Sequence, residues 1–151
     1  MRTVKNILDR KAPASNIISS DMLVIDALTR LDSVDLSYLV VMDDHKYKGI
    51  FSERDYSRNV ILKGRHSNTT KVGEVMTTDL PVVSLTDTVE HCMKTMSEKR
   101  TRYLLACDAS SRYCGIITIH DLLRQVIASR EDVFDSAAQQ WLDQDEKGNI
   151  Y

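Results

Sequence analysis

Two short segments carry the residue types that could do chemistry: Ser52-Glu53-Arg54-Asp55 and Thr118-Ile119-His120-Asp121, each a hydroxyl followed three residues later by a carboxylate. Where such a segment opens a helix, free backbone N–H groups, the positive end of the dipole and the hydroxyl together suit a phosphate. The carboxylate beside them is a poor phosphate ligand but a good acceptor for a vicinal diol. A molecule offering both phosphate and diol is a ribonucleotide. The same spacing is also that of a helix capping box, which binds nothing. Two features favour a ligand. Asp is shorter than the Glu or Gln that a capping box prefers, so Asp55 and Asp121 are expected to reach back less well and to face outward. Arg54 falls in the first turn, where a positive charge opposes the macrodipole by a few tenths of a kcal/mol, and Arg58 lies one turn further along. A bound anion would offset that misfit. His120 stands where the first segment has Arg54, and reads either as a further phosphate contact or as a surface histidine at a helix cap.

Both segments occupy the same place in an internal repeat. Val24, Ala27, Leu28 and Leu31 form one apolar helical face, and Val89, Cys92, Met93 and Met96 repeat it 65 residues later. Strand-like runs at 38–42 and 103–107 keep that offset and lead into Asp43 and Asp108. Turn-rich segments follow, the second one residue longer, and from there the offset is 66: Gly49-Ile50-Phe51-Ser52-Glu53-Arg54-Asp55 answers Gly115-Ile116-Ile117-Thr118-Ile119-His120-Asp121. A length change confined to a hairpin turn is what a structural repeat tolerates.

Each half therefore reads as an opening segment (4–8 or 72–76), a loop with Pro13 or Pro81, a short strand (17–19 or 82–84), a helix, a strand hairpin and a closing helix that starts near Glu53 or Ile119. The first closing helix is expected to run through Tyr56, Val60 and Ile61 and to stop at Gly64. The spacing predicts repeats over 1–63 and 72–128, a polar linker over 64–71 and a tail over 129–151. A half of this length buries little core alone. An α+β fold is expected, with two βαββα repeats packed face to face about a pseudo-two-fold axis and two related clefts between them.

The paired G-h-h-[S/T]-x-x-D segments, each behind a strand and an amphipathic helix, resemble cystathionine-β-synthase-type (CBS) repeats, and the resemblance spans roughly residues 4 to 128. Val72-Gly73-Glu74-Val75-Met76-Thr77 is similar to that family's usual opening, and Val4-Lys5-Asn6-Ile7-Leu8 is a looser version. The resemblance implies a regulatory module that senses an adenine nucleotide, AMP foremost, with ADP, ATP or NAD(H) also fitting. Carried over by position, Asp55 and Asp121 accept the ribose hydroxyls, and Ser52 and Thr118 are hydroxyl contacts. Arg102 is a phosphate contact whose counterpart is Ser37, and Arg54, Arg58, His120 and Lys71 are further basic candidates. With Lys99-Arg100-Thr101-Arg102 in one half against Val34-Asp35-Leu36-Ser37 in the other, the two sites should not be equivalent. Family members commonly pair through their helices, so a homodimer is implied, with Met93, Met96, Leu122 and Ile127 as core or interface residues and a regulated protein in trans. The competing reading is a structural dimerisation module with no ligand.

The remaining composition narrows the classes. Twenty Lys+Arg against 22 Asp+Glu give a net charge of −2, without the basic excess of a nucleic-acid binder. The first residues show no leader-like apolar run and no stretch has the length of a membrane span, so a cytoplasmic protein is expected. Cys92, Cys107 and Cys114 fit neither a disulfide framework nor a zinc site and read as reduced, mostly buried thiols. No Cys/His pair has a setting that would activate a nucleophile, so no catalytic residue is assigned. In the tail, Val133, Ala137 and Trp141 recur at helical spacing, which predicts a docked helix near 131–142.

Overall fold

The computed structural model describes residues 2–12, 15–34 and 36–129; the helix expected near 131–142 lies outside them. The elements run α1 (Val4–Arg10), β1 (Ile17–Ile18), α2 (Val24–Val34), β2 (Tyr38–Asp43), β3 (Lys46–Ser52), α3 (Glu53–Asp55), a π-helical segment (Tyr56–Ile61), a 3₁₀ turn (Val72–Glu74), β4 (Val82–Ser84), α4 (Val89–Lys99), β5 (Tyr103–Cys107), β6 (Tyr113–Thr118) and α5 (Ile119–Ser129). The protein is thus α+β, with two three-stranded sheets ordered β1-β2-β3 and β4-β5-β6. In each, a short first strand lies parallel to the second, and the second and third form an antiparallel hairpin.

Repeat equivalence extends to irregularities. Both hairpins carry a bulge, between Val41 and Met42 and between Ala106 and Cys107. The first closes through Asp44 and His45 with φ of 51° and 63°, the two positive values that a two-residue type I′ turn demands. In the second, Asp108 accepts hydrogen bonds from the N–H groups of Ser110 (2.8 Å) and Arg112 (3.0 Å), which shapes the longer turn. Its repeat partner Asp43 instead accepts from the Ser20 N–H (3.0 Å) and hydroxyl (2.5 Å), and those bonds hold its carboxyl below the usual range.

The helical faces are where the periodicity puts them. Val24, Ala27 and Leu31 are buried on α2, and Val89, Cys92 and Met96 on α4. Met96 and Leu122 are core residues, whereas Met93 only packs against the core. The first closing helix departs from expectation. After Asp55 it widens into π geometry, with Leu62 N–H bonded to Ser57 O at 3.0 Å and Arg65 N–H to Val60 O at 2.9 Å. Gly64 follows with φ of 71°. The thiols also differ from expectation: Cys92 alone is fully buried, Cys107 is partly so and Cys114 is exposed. Burial pushes the Cys92 thiol up to about 11, leaving it inert.

The chain divides into two compact units, and the opening segments are exchanged between them. Among the described residues, one unit joins those up to Ala12 with those from Leu80 onward; the other holds those from Ser15 to Asp79. Accordingly Val4 N–H bonds Asp87 O at 2.9 Å and Lys5 N–H bonds Leu85 O at 3.0 Å. Val4 and Ile7 are buried with Val83, Cys92, Leu104, Ile117 and Leu122. In the other unit Val72 and Val75 join Ile18, Val24, Leu39 and Phe51. Each half thus obtains from the neighbouring segment the cover that its own length cannot supply.

This exchange explains the glycine that opens each motif. A Cβ at Gly49 would lie 2.4 Å from the carbonyl oxygen of Thr77, and one at Gly115 would lie 2.7 Å from Leu8 Cδ2. Thr77 is fixed there by reciprocal backbone bonds with Ile50 of 2.8 and 3.0 Å. Gly49→Ala must push backbone against backbone and is expected to cost about 1–3 kcal/mol of stability. Gly115→Ala meets only a movable side chain and should cost less. Chemical denaturation of the two variants checks that order.

Candidate functional site

In the Ser15–Asp79 unit the site is built at the end of β3. Ser52 leaves the strand in extended conformation and caps α3, accepting the Asp55 N–H at 3.4 Å. Asp55 reaches back, its Oδ2 accepting the Ser52 N–H at 3.0 Å and the Ser52 hydroxyl at 3.1 Å. Its Oδ1 accepts the Thr77 hydroxyl at 2.7 Å. Asp55 is only 6% exposed, and this burial raises its pKa against the opposing hydrogen bonds from Thr77 and Ser52. Two expectations are corrected here. The aspartate is long enough to complete the capping box, because the extended cap residue brings its N–H over the first turn. It therefore faces inward. Glu53 and Asp55 already place negative charge in that turn, so Arg54 demands no anion.

The other unit repeats the box with a charged difference. Thr118 Oγ1 accepts the Asp121 N–H at 3.2 Å, and Asp121 Oδ2 accepts the Thr118 N–H at 2.8 Å. Thr118 and Asp121 are buried at 6% and 8% exposure, again inward. Where Asp55 meets Thr77, Asp121 meets Lys11, whose ammonium lies 3.0 Å from Oδ2 and 2.9 Å from the carbonyl oxygen of Ile116. Beside this pair is a cavity of about 330 Å³ lined by Ile7, Arg10, Lys11, Ala12, Asp121, Arg124 and Gln125. Three cations and one carboxylate thus share a recess between the end of α1 and the first turns of α5. Gln125 Oε1 is buried there without a hydrogen-bond partner.

The other candidates are spread out. Arg102 belongs to this second set by position: its carbonyl accepts the Ile119 N–H at 3.0 Å, next to Thr118. His120 is buried at 8% exposure, which corrects its reading as a surface cap histidine. Arg54 and Arg58 are exposed on their helix. Lys71 is exposed and its ammonium meets Asp21 at 3.6 Å, while Thr77, not Lys71, meets Asp55. Sequence reasoning missed Thr77, Arg10, Lys11 and Arg124. The repeat carries no signal for Lys11 and Thr77: the opening segments are offset by 68 residues, which pairs Lys11 with Asp79 and Thr77 with Asp9.

Two sheet-and-helix repeats, each opening its closing helix on a hydroxyl-capped carboxylate, define a tandem-repeat architecture. The CBS domain family matches residues 4–61 and 72–128, and the chain belongs to that family. It is 30% identical over 114 residues to CBSX3, a mitochondrial CBS domain-containing protein of Arabidopsis thaliana, covering 72% of this chain. The chain spans about half, 55%, of that relative's length. Among solved structures, a protein with CBS domains from Burkholderia ambifaria superposes with a TM-score of 0.77 at 32% identity, covering 89% of this chain and all of that one. CBSX2, solved in complex with AMP, gives a TM-score of 0.66 at 27% identity over 85% of this chain and 98% of its own. Among the described residues no helix is long and apolar enough to cross a membrane, and no cluster of side chains could hold a metal ion.

Proposed function

We propose that this chain is a regulatory module that binds adenine nucleotides at Asp55 and Asp121, AMP foremost, with ADP, ATP or NAD(H) as further ligands. The observation that carries the reading is the recess beside Asp121, where a helix start and a carboxylate meet Arg10, Lys11 and Arg124. Cations there suit a phosphate, and the carboxylate suits a ribose diol. The AMP complex of the related CBSX2 supports the same ligand class. In this reading Ser52 and Thr118 hold the carboxylates in place as caps, Arg102 and His120 stand on the Asp121 side, and Arg54, Arg58 and Lys71 are outlying charges. The module acts as a cytoplasmic homodimer on a partner in trans and catalyses nothing.

A structural dimerisation module without ligand is the second reading, favoured by one observation: both capping boxes are complete in themselves. A thermal-shift screen of AMP, ADP, ATP, NAD(H) and S-adenosylmethionine separates the two. A ligand selective for the folded state, at about 100 times its Kd, stabilises by about 2.7 kcal/mol, a rise of several degrees. No rise with any of them would leave the structural reading.

A further inference from the structure

We infer that Lys11 makes the Asp121 recess selective for ligands that carry a phosphate, by occupying the diol-accepting carboxylate until an anion draws it away. The inference rests on the reading of Asp121 as a ribose acceptor. Lys11 and Thr77 touch equivalent partners, Asp121 and Asp55, yet one brings a charge and the other a neutral hydroxyl. Thr77 can turn its hydroxyl from Asp55 to another acceptor without uncovering a charge. Lys11 cannot do the same. Its side chain is 29% exposed and that of Asp121 is 9% exposed, so a ligand that takes the carboxylate leaves a half-buried ammonium short of its counter-ion.

A nucleoside offers hydroxyls for Asp121 and nothing for Lys11, and so competes with an ion pair while giving back only neutral hydrogen bonds. A nucleotide offers both. Its phosphate, with about −1.5 to −2 charges near neutral pH, replaces the carboxylate as the partner of Lys11. Arg10 and Arg124 line the same recess, where three cations exceed the one carboxylate by two charges. The recess therefore reads phosphate and diol together in one molecule. Asp55, paired with a neutral hydroxyl, discriminates less between nucleoside and nucleotide.

Amide chemical shifts of residues 116–124, followed by NMR, report this site separately from the one at Asp55. The full chain and its Lys11→Thr and Lys11→Arg variants are titrated with AMP, adenosine and inorganic tripolyphosphate. The wild type is expected to prefer AMP over adenosine at these amides by tenfold or more, on the order of one charge-assisted contact. Lys11→Thr should cut that preference about tenfold, by weakening AMP and strengthening adenosine, and should weaken tripolyphosphate about as much, while Lys11→Arg keeps the preference. An AMP-to-adenosine preference unchanged in Lys11→Thr overturns the inference. If tripolyphosphate binds in a Lys11-dependent way and neither AMP nor adenosine does, the nucleotide reading falls and the phosphate role of Lys11 stands. If none of the three binds, both fall.

Discussion

Ile7→Ala is expected to loosen the sheet β4-β5-β6 and leave β1-β2-β3 intact, although Ile7 belongs by sequence to the first CBS domain. Ile7 is 2% exposed and packs among Val83, Cys92, Leu104, Ile117 and Leu122, all from the second half of the chain. Truncating a buried isoleucine to alanine costs about 2–5 kcal/mol, lost transfer energy plus the cavity left behind. That is a large part of the stability of a domain this size. Ile7 also lines the recess beside Asp121, so the same change should weaken whatever binds there. Hydrogen exchange resolved by segment reads the result: protection falls in 82–84, 103–107 and 113–118 and persists in 38–52. Loss confined to 38–52 would mean that the opening segments are not exchanged.

The second large effect is on ligand affinity. Asp55→Ala and Asp121→Ala are each expected to weaken one nucleotide site, losing about 1–3 kcal/mol of binding per charged hydrogen-bond set. In calorimetry the double variant should bind AMP about 5- to 150-fold more weakly than the wild type. Each change also removes the acceptor for a cap N–H, a structural cost of about 0.5–2 kcal/mol. Circular dichroism on the same samples therefore accompanies the titration. Asp121→Ala further removes the carboxylate partner of Lys11, whose ammonium also donates to the Ile116 carbonyl. Folded double variant that binds AMP as the wild type does would remove both aspartates from the site.

The features legible from the sequence were those fixed by local periodicity. The apolar face of Val24, Ala27 and Leu31 needs only a 3.6-residue repeat to be recognised, and its recurrence at Val89, Cys92 and Met96 exposed the duplication. The hydroxyl and carboxylate were found by the same duplication, but their orientation was not. Whether Asp55 turns inward depends on the extended backbone of Ser52 and on Thr77 arriving from 22 residues away. Lys11 was invisible for a similar reason. Its partner Asp121 is 110 residues distant, and the pair forms only because the opening segments change places. The π widening after Asp55 has no periodic signal that distinguishes it from an ordinary helix.

A crystal structure of the protein grown with AMP decides the nucleotide reading of the two aspartates. The ribose hydroxyls are expected within hydrogen-bond distance of Asp55 or Asp121, and, at Asp121, Lys11 is expected to turn from the carboxylate to the phosphate. AMP bound away from both aspartates, or absent at saturating concentration, would contradict that reading.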